Sequence, residues 1–193
     1  MVSLKDRLAL LESDLTSTPP RVSVYSDLPF AIMRYDPSDE WELRRQIGLL
    51  KARLRSAGRE VVVISLADLL WQAIEDSEGL DTLYELERER GYEAAEEQVT
   101  NYLSDPDWRP LPALLSARIR DLDPDKHIVF LIRAAAMAPT IYPMSRFLEE
   151  MQGWTKVMTI LFYPGTLEGT TGLRFMALQG RETRGNYRVK IYG

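Results

Sequence analysis

The 193-residue sequence predicts an α/β protein with a mainly parallel, doubly wound sheet of about five strands and helices on both faces. Residues 61–64, 128–132 and 157–162 are apolar runs without the polar alternation of a strand that has one face in water. Helix-forming segments separate these runs, and strands joined through helices pair in parallel by right-handed crossovers. The expected sheet is therefore Rossmann-like or P-loop-like, within one domain that spans residues 1–193.

The first helix is predicted within residues 1–20. Its leucines recur at three- and four-residue spacing, which is typical of a helix that packs through one apolar face: Leu4, Leu8, Leu11 and Leu15. Residues 30–35 follow a proline and are short and apolar, so we expect them to form the first strand.

Strong start and stop signals bound the next two helices. Asp36 is a suitable N-cap and Pro37 a suitable first helical residue, so this helix is expected to run to Ala57 and end at Gly58. After the strand at residues 61–64, Ser65 is expected to cap a further helix.

Residues 76–122 contain many helix formers and no strand pattern, which predicts a helical insertion between two strands. Gly91 divides two of its helices, and the third is expected over residues 111–122. A covering helix is expected over residues 142–153. Residues 187–192 alternate between apolar and basic side chains and are therefore expected to form an edge strand with one exposed face.

The composition excludes several kinds of chemistry. There is no cysteine and only one histidine, so disulfides, thiolate catalysis and a two-histidine metal site within one chain are excluded. No apolar run approaches the ~20 residues that span a bilayer, and the first residues lack a signal-peptide pattern. We therefore expect a cytoplasmic protein without a membrane partner.

Ligands of doubly wound sheets bind beyond the carboxyl ends of the strands. Asp36, Ser65 and Arg133 are expected there, together with a glycine-rich stretch at residues 163–172. This stretch could present backbone N–H groups to a ligand or a partner. The residues of this candidate loop are Gly165, Thr166, Gly169, Thr170, Thr171 and Gly172.

The glycine-rich stretch differs from a phosphate-binding P-loop. A P-loop needs a lysine that reaches the terminal phosphates, and no lysine lies between Lys156 and Lys190. An alternative interpretation needs no ligand, because Asp36 and Ser65 can be helix caps, the glycines turn residues and Arg133 an ion-pair partner.

No catalytic residue, cofactor-binding residue or metal ligand is predicted. His127 stands at the start of its strand, away from the expected ligand edge, and no nucleophile elbow is present. The sequence therefore favours a binding or scaffolding protein over an enzyme.

Two further surfaces are candidates for a partner. Trp108 lies among polar residues and prolines and could be an exposed contact, although packing in the core is the alternative. Residues 75–97 carry ten acids and two arginines, whereas the chain from Arg109 onward is basic overall. Basic residues that could contact DNA phosphates, if they share a face, are Arg174, Arg181, Arg184, Arg188 and Lys190.

Four blocks of the sequence, residues 41–50, 127–139, 162–176 and 186–192, resemble the BrxB family, the small component of bacteriophage exclusion (BREX) systems. The resemblance extends over nearly the whole chain, and the last two blocks are its most distinctive parts. The family has no established catalytic motif, so the resemblance transfers no catalytic residue to this chain.

The resemblance implies a function in bacterial phage defence. BREX systems combine this component with an adenine-specific DNA methyltransferase, a large ATPase and the alkaline-phosphatase-like protein PglZ, which together mark host DNA and block phage replication. The implied role is that of a non-catalytic adaptor that binds PglZ. The alternatives are a degenerate nucleotide-binding or nucleic-acid-processing enzyme and a subunit that binds DNA directly.

Overall fold

The computed structural model describes residues 2–22, 28–137, 141–169, 172–176, 187 and 189–193. The strands in this part of the chain are β1 (Phe30–Tyr35), β2 (Glu60–Ser65), β3 (His127–Ile132), β4 (Met158–Glu168), β5 (Gly172–Phe175) and β6 (Lys190–Tyr192). The α-helices are α1 (Leu4–Thr16), α2 (Glu40–Ser56), α3 (Leu66–Asp76), α4 (Gly79–Arg90), α5 (Tyr92–Ser104), α6 (Leu111–Ile119) and α7 (Met144–Glu150). Short 3₁₀ helices lie at Pro37–Asp39 and Ala134–Met137.

The strands form one sheet in the order β2-β3-β4-β1-β6, and all neighbours along this path are parallel. β5 pairs with the distal part of β4 in the antiparallel direction. The predicted mainly parallel α/β sheet is therefore confirmed. Among the described strands, β6 pairs with β1 alone and is an edge strand as predicted. Its expected exposed face is partly covered, since Tyr192, the neighbour of Lys190 on that face, is buried in the core with α1 and α2.

Helices cover both faces of the sheet because successive side chains of each buried strand point to opposite sides. Ala31 and Met33 of β1 pack in a core with α1 and α2. Phe30 and Ile32 of the same strand pack in a second, larger core with α3, α6 and α7. The sheet therefore separates two hydrophobic cores and contributes side chains to both.

The helices between β2 and β3 divide into two groups. A small cluster of Ile74, Leu83 and Tyr102 joins α3 to α4 and α5, which contact each other. Leu111 and Leu115 of α6, by contrast, belong to the larger core under the sheet. The boundaries of the insertion at residues 76–122 and the single-domain organisation stay predictions.

Local signals at the helix ends act largely as the sequence indicates. The Ser65 hydroxyl accepts a hydrogen bond from the backbone N–H of Asp68 at 3.2 Å, and the Asp36 carboxylate accepts one from the Ser38 N–H at 2.9 Å. Two predicted helices are shorter than expected. α6 ends at Ile119, where the Leu122 N–H bonds to the Ile119 carbonyl in a tighter turn. α7 begins only after Pro143, because a proline disfavours helical backbone at the residue before it, here Tyr142.

The prediction that residues 163–172 form a loop was wrong for most of that stretch. β4 continues to Glu168 and forms a hairpin with β5, so Gly165, Thr166 and Gly172 are strand residues. The last parallel pair with β1 is Tyr35 with Pro164, and the antiparallel pairing starts at the next residue. The proline is tolerated because it lies where β4 changes its hydrogen-bonding partner.

Within the described part of the chain, no helix has the length and apolar character needed to cross a bilayer.

Candidate functional site

The sheet changes winding direction between β1 and β4. β1 continues through α2 to β2 at one end of the sheet, whereas β4 precedes β6 at the other end. In open α/β sheets, a crevice forms beyond the carboxyl ends of two such neighbouring strands and is the usual ligand position.

Two adjoining cavities occupy this position, and we call them together the β1/β4 crevice. Their volumes are about 380 Å³ and 230 Å³. They share four lining residues, which come from the end of β1, from α2 and from the end of β3: Tyr35, Glu40, Arg44 and Arg133. Pro164 of β4 lines the larger cavity. The structure therefore brings Arg133 next to the start of the predicted glycine-rich stretch.

Glu40 connects two of the crevice side chains. Its carboxylate accepts a hydrogen bond from the Tyr35 hydroxyl at 2.5 Å and one from Arg44 Nε at 2.8 Å. Burial and the hydrogen bond to Glu40 raise the pKa of Tyr35, so the phenol stays protonated and remains a donor. The Arg44 guanidinium lies 4.8 Å from the ring centre of Trp41 and thus also contacts an aromatic face.

Arg133 is different, since its exposed side chain makes no hydrogen bond or ion pair with any described residue. Its backbone is in the left-handed region at a φ of 61°. Met176, at a φ of 51°, is the other non-glycine residue with positive φ in the described chain, and it lines the same crevice. Such a conformation costs a non-glycine residue about 1–2 kcal/mol, and strained residues cluster at functional sites.

Asp36 and Ser65 lie at strand ends, but their carboxylate and hydroxyl cap the 3₁₀ helix at Pro37–Asp39 and α3, respectively. The hydrogen bonds from Ser38 lower the pKa of Asp36. Helix capping therefore accounts for both residues without a ligand.

The remaining residues of the predicted ligand loop lie along the β4–β5 hairpin. Thr166 pairs with Arg174, Gly169 takes a positive φ of 64° in the turn and Gly172 pairs with Glu168. Thr170 and Thr171 lie outside the described residues. A ligand-binding role for this set stays a prediction.

The predicted basic surface is partly engaged in internal ion pairs. Arg174 pairs with Glu168 within the hairpin, and Lys190 Nζ lies 2.6 Å from the Asp14 carboxylate. Arg181, Arg184 and Arg188 lie outside the described residues, so a DNA-binding face stays a prediction.

Two of the tryptophans differ from each other in exposure, and a partner-binding role for Trp108 stays a prediction. Trp108 is half-buried and packs edge-on against Tyr102 at a ring-centre distance of 5.2 Å. Trp41, by contrast, is 77% exposed at the start of α2, beside the crevice. Sequence reasoning missed Trp41, Glu40 and Arg44, although the four-residue spacing of the last two within a well-capped helix was a usable signal.

His127 begins β3, at the end of the sheet away from the crevice, as its place in the sequence predicts. Its Nδ1 lies 3.1 Å from both the backbone nitrogen and the carbonyl oxygen of Asp123. Among the residues that the structure describes, no group of three or more histidine, aspartate or glutamate side chains could hold a metal ion.

Comparison with known proteins gives one finding. A family model described as "BREX protein BrxB" matches residues 62–191, which is more than half of the chain and includes Arg133, Pro164 and the β4–β5 hairpin. No curated protein matches the chain, and no solved structure matches it. The chain therefore belongs to the BrxB family and is a component of a BREX phage-defence system.

Proposed function

We propose that this chain is a non-catalytic adaptor that assembles the BREX system by binding the alkaline-phosphatase-like protein PglZ. In this role it supports methylation of host DNA and exclusion of phage, without a chemical step of its own. The β1/β4 crevice is the surface that we assign to this role.

One observation carries the proposal. At the edge of the sheet where an enzyme of this architecture would bind its substrate, Trp41 is 77% exposed and the exposed Arg133 has no partner among the described residues. Tryptophan and arginine are the residue types that contribute most to protein–protein interfaces. An exposed pair of this kind is therefore better suited to docking a protein than to processing a small molecule.

The chemistry of the crevice supports the same proposal. Glu40, the carboxylate that lines both cavities, already accepts hydrogen bonds from Tyr35 and Arg44. A carboxylate in a phosphate site repels phosphate oxygens unless a cation lies between them. The degenerate-enzyme alternative therefore receives no support from these side chains.

The test is a pull-down with an affinity-tagged chain from cells that express the complete BREX system. We expect PglZ to be captured in near-stoichiometric amount, and we expect tagged PglZ to capture this chain. Nuclease treatment before capture should leave the amounts unchanged if contact is direct. A tagged, unrelated protein of similar size is the control.

Two results would contradict the proposal. One is that the tagged chain captures no BREX protein although the system still excludes phage. The other is metal-dependent turnover of a nucleotide or of DNA by the purified chain. Deletion of the gene should abolish both host methylation and phage exclusion, and plasmid-borne expression should restore them.

A further inference from the structure

The β1/β4 crevice contains one positive charge that the described residues leave uncompensated. Arg44 and Glu40 neutralise each other through the 2.8 Å contact between Nε and Oε1. Arg133 lines both cavities, is exposed and has no hydrogen bond or ion pair with a described residue. The crevice therefore offers one guanidinium, with its planar set of donors, to an incoming anion.

The charge count favours a carboxylate over a phosphate. A phosphate carries up to two charges and is usually held by several cations or backbone N–H groups. Here Arg44 already forms an ion pair with Glu40, and the Glu40 carboxylate lines both cavities. A single carboxylate, by contrast, can form a bidentate pair with one arginine.

The surroundings of Arg133 favour a protein segment as the carrier of this carboxylate. The floor of the larger cavity is apolar and includes Ala135, Ala136 and Pro164. The exposed Trp41 ring lies next to Arg44, which lines both cavities, with the guanidinium 4.8 Å from the ring centre. A peptide segment that places an apolar side chain next to its carboxylate can use both features.

The backbone of the crevice is strained at two positions. Both non-glycine residues with positive φ in the described chain, Arg133 and Met176, line the larger cavity. Glycine would adopt this backbone without strain. Strained backbone of this kind clusters at ligand clamps, which is the pattern expected of a binding residue.

We infer that the β1/β4 crevice is the docking site of the proposed adaptor and receives an acidic segment of a partner protein. A carboxylate of this segment pairs with Arg133, and an apolar neighbour packs on Trp41. The inference rests on the proposed adaptor function and adds the site and the chemistry of the segment that it recognises.

The experiment compares variants in the pull-down from cells with the complete BREX system. Arg133→Gly removes the charge and relieves the positive φ, so we expect at least a tenfold loss of captured partner together with an unchanged or higher unfolding temperature. A merely structural arginine would give the opposite pair of results. Arg133→Lys keeps the charge but not the bidentate geometry, and it should retain an intermediate amount of partner.

Trp41→Ala should also reduce capture, and its matched control is Trp154→Ala. Trp154 is 51% exposed and precedes β4, so it lies near the end of the sheet where the parallel strands begin, away from the crevice. Arg120→Ala is the control for loss of an exposed arginine charge. Both controls should capture the partner at the level of the unaltered chain.

A photo-reactive benzoylphenylalanine in place of Trp41 identifies the occupant. We expect cross-links to a segment of a BREX protein with an aspartate or glutamate next to an apolar residue. Changing this acid to lysine should restore capture by Arg133→Glu.

Cross-links to nucleic acid or to a second copy of this chain would overturn the inference, as would full capture by Arg133→Gly and Trp41→Ala. That last result would leave the adaptor function intact, whereas failure of the unaltered chain to capture any BREX protein would overturn both.

Discussion

At the scale of single residues, Gly165 is the described glycine at which an added Cβ atom would lie closest to a backbone atom. It lies at the start of the β4–β5 pairing, opposite Phe175, and a Cβ atom there would overlap the carbonyl oxygen of Arg174. The overlap is with backbone, which cannot move aside as a flexible side chain can. The absence of a side chain at Gly165 is therefore a condition for the hairpin.

We predict that Gly165→Ala lowers the free energy of unfolding by about 2–3 kcal/mol, the cost typical of forcing extra volume into a packed site. Urea unfolding followed by circular dichroism measures this change. Gly48→Ala is the matched control, since Gly48 lies on the exposed side of α2 and a Cβ there meets nothing within 4 Å. The control should gain about 1 kcal/mol, because alanine is the better helix former. Equal effects of the two substitutions would contradict the prediction.

The sequence predicted which residues lie at the strand ends but not which of them face the crevice. Arg133 lies at the end of β3 as predicted, because the carboxyl end of a buried strand can be read from a run of apolar residues. Glu40 and Trp41 were missed, since their position depends on how α2 packs against the sheet. That packing is set by tertiary contacts of α2 with α1 and β2.

At the scale of elements, a polar cluster joins the first helix to the last strand. The Asp14 carboxylate of α1 accepts hydrogen bonds from Lys190 Nζ at 2.6 Å and from the Tyr192 hydroxyl at 2.7 Å, both in β6. Asp14 is 8% exposed. Burial alone would raise the pKa of Asp14, but the hydrogen bonds from Lys190 and Tyr192 outweigh it and lower the pKa. The ionised form is therefore the one that the fold stabilises.

We predict that Asp14→Asn destabilises the protein by about 2 kcal/mol at pH 7, as expected for hydrogen bonds to a charged group. The lowered pKa means that this contribution is present above the unfolded-state pKa of about 3.9 and is lost as pH falls through the folded-state value. The difference between the two proteins should therefore shrink in acid. Urea unfolding at pH 7 and at about pH 3 tests both parts, with the exposed Asp121→Asn as a control without effect. A difference that grows in acid would contradict the prediction.

The elements themselves were largely predictable because their signals are local. β1, the cap of α3 by Ser65 and the division of α4 from α5 at Gly91 follow from short sequence patterns. β5 was not predictable in this way, since Gly172–Phe175 is only four residues long. It becomes a strand through pairing with the extended end of β4, which is a tertiary effect.

At the scale of the whole molecule, the two hydrophobic cores are separated only by the sheet. Alternate residues of β1 and β3 point into one core or the other, for example Phe130 toward α1 and α2 and Leu131 toward α3, α6 and α7. Loss of packing in one core therefore destabilises β1 and β3, and these strands also contribute side chains to the other core. This arrangement predicts one cooperative unit, in agreement with the predicted single domain.

The prediction is tested by one truncation in each core. Leu11 of α1 and Leu115 of α6 are both completely buried, in different cores. Leu11→Ala and Leu115→Ala should each destabilise the protein by about 2–5 kcal/mol. Each should shift the same single transition in calorimetry, with a ratio of calorimetric to van't Hoff enthalpy near one. If Leu11→Ala instead separates an early transition from one that keeps its original midpoint, the α1 and α2 face unfolds independently, and the chain is not a single cooperative domain.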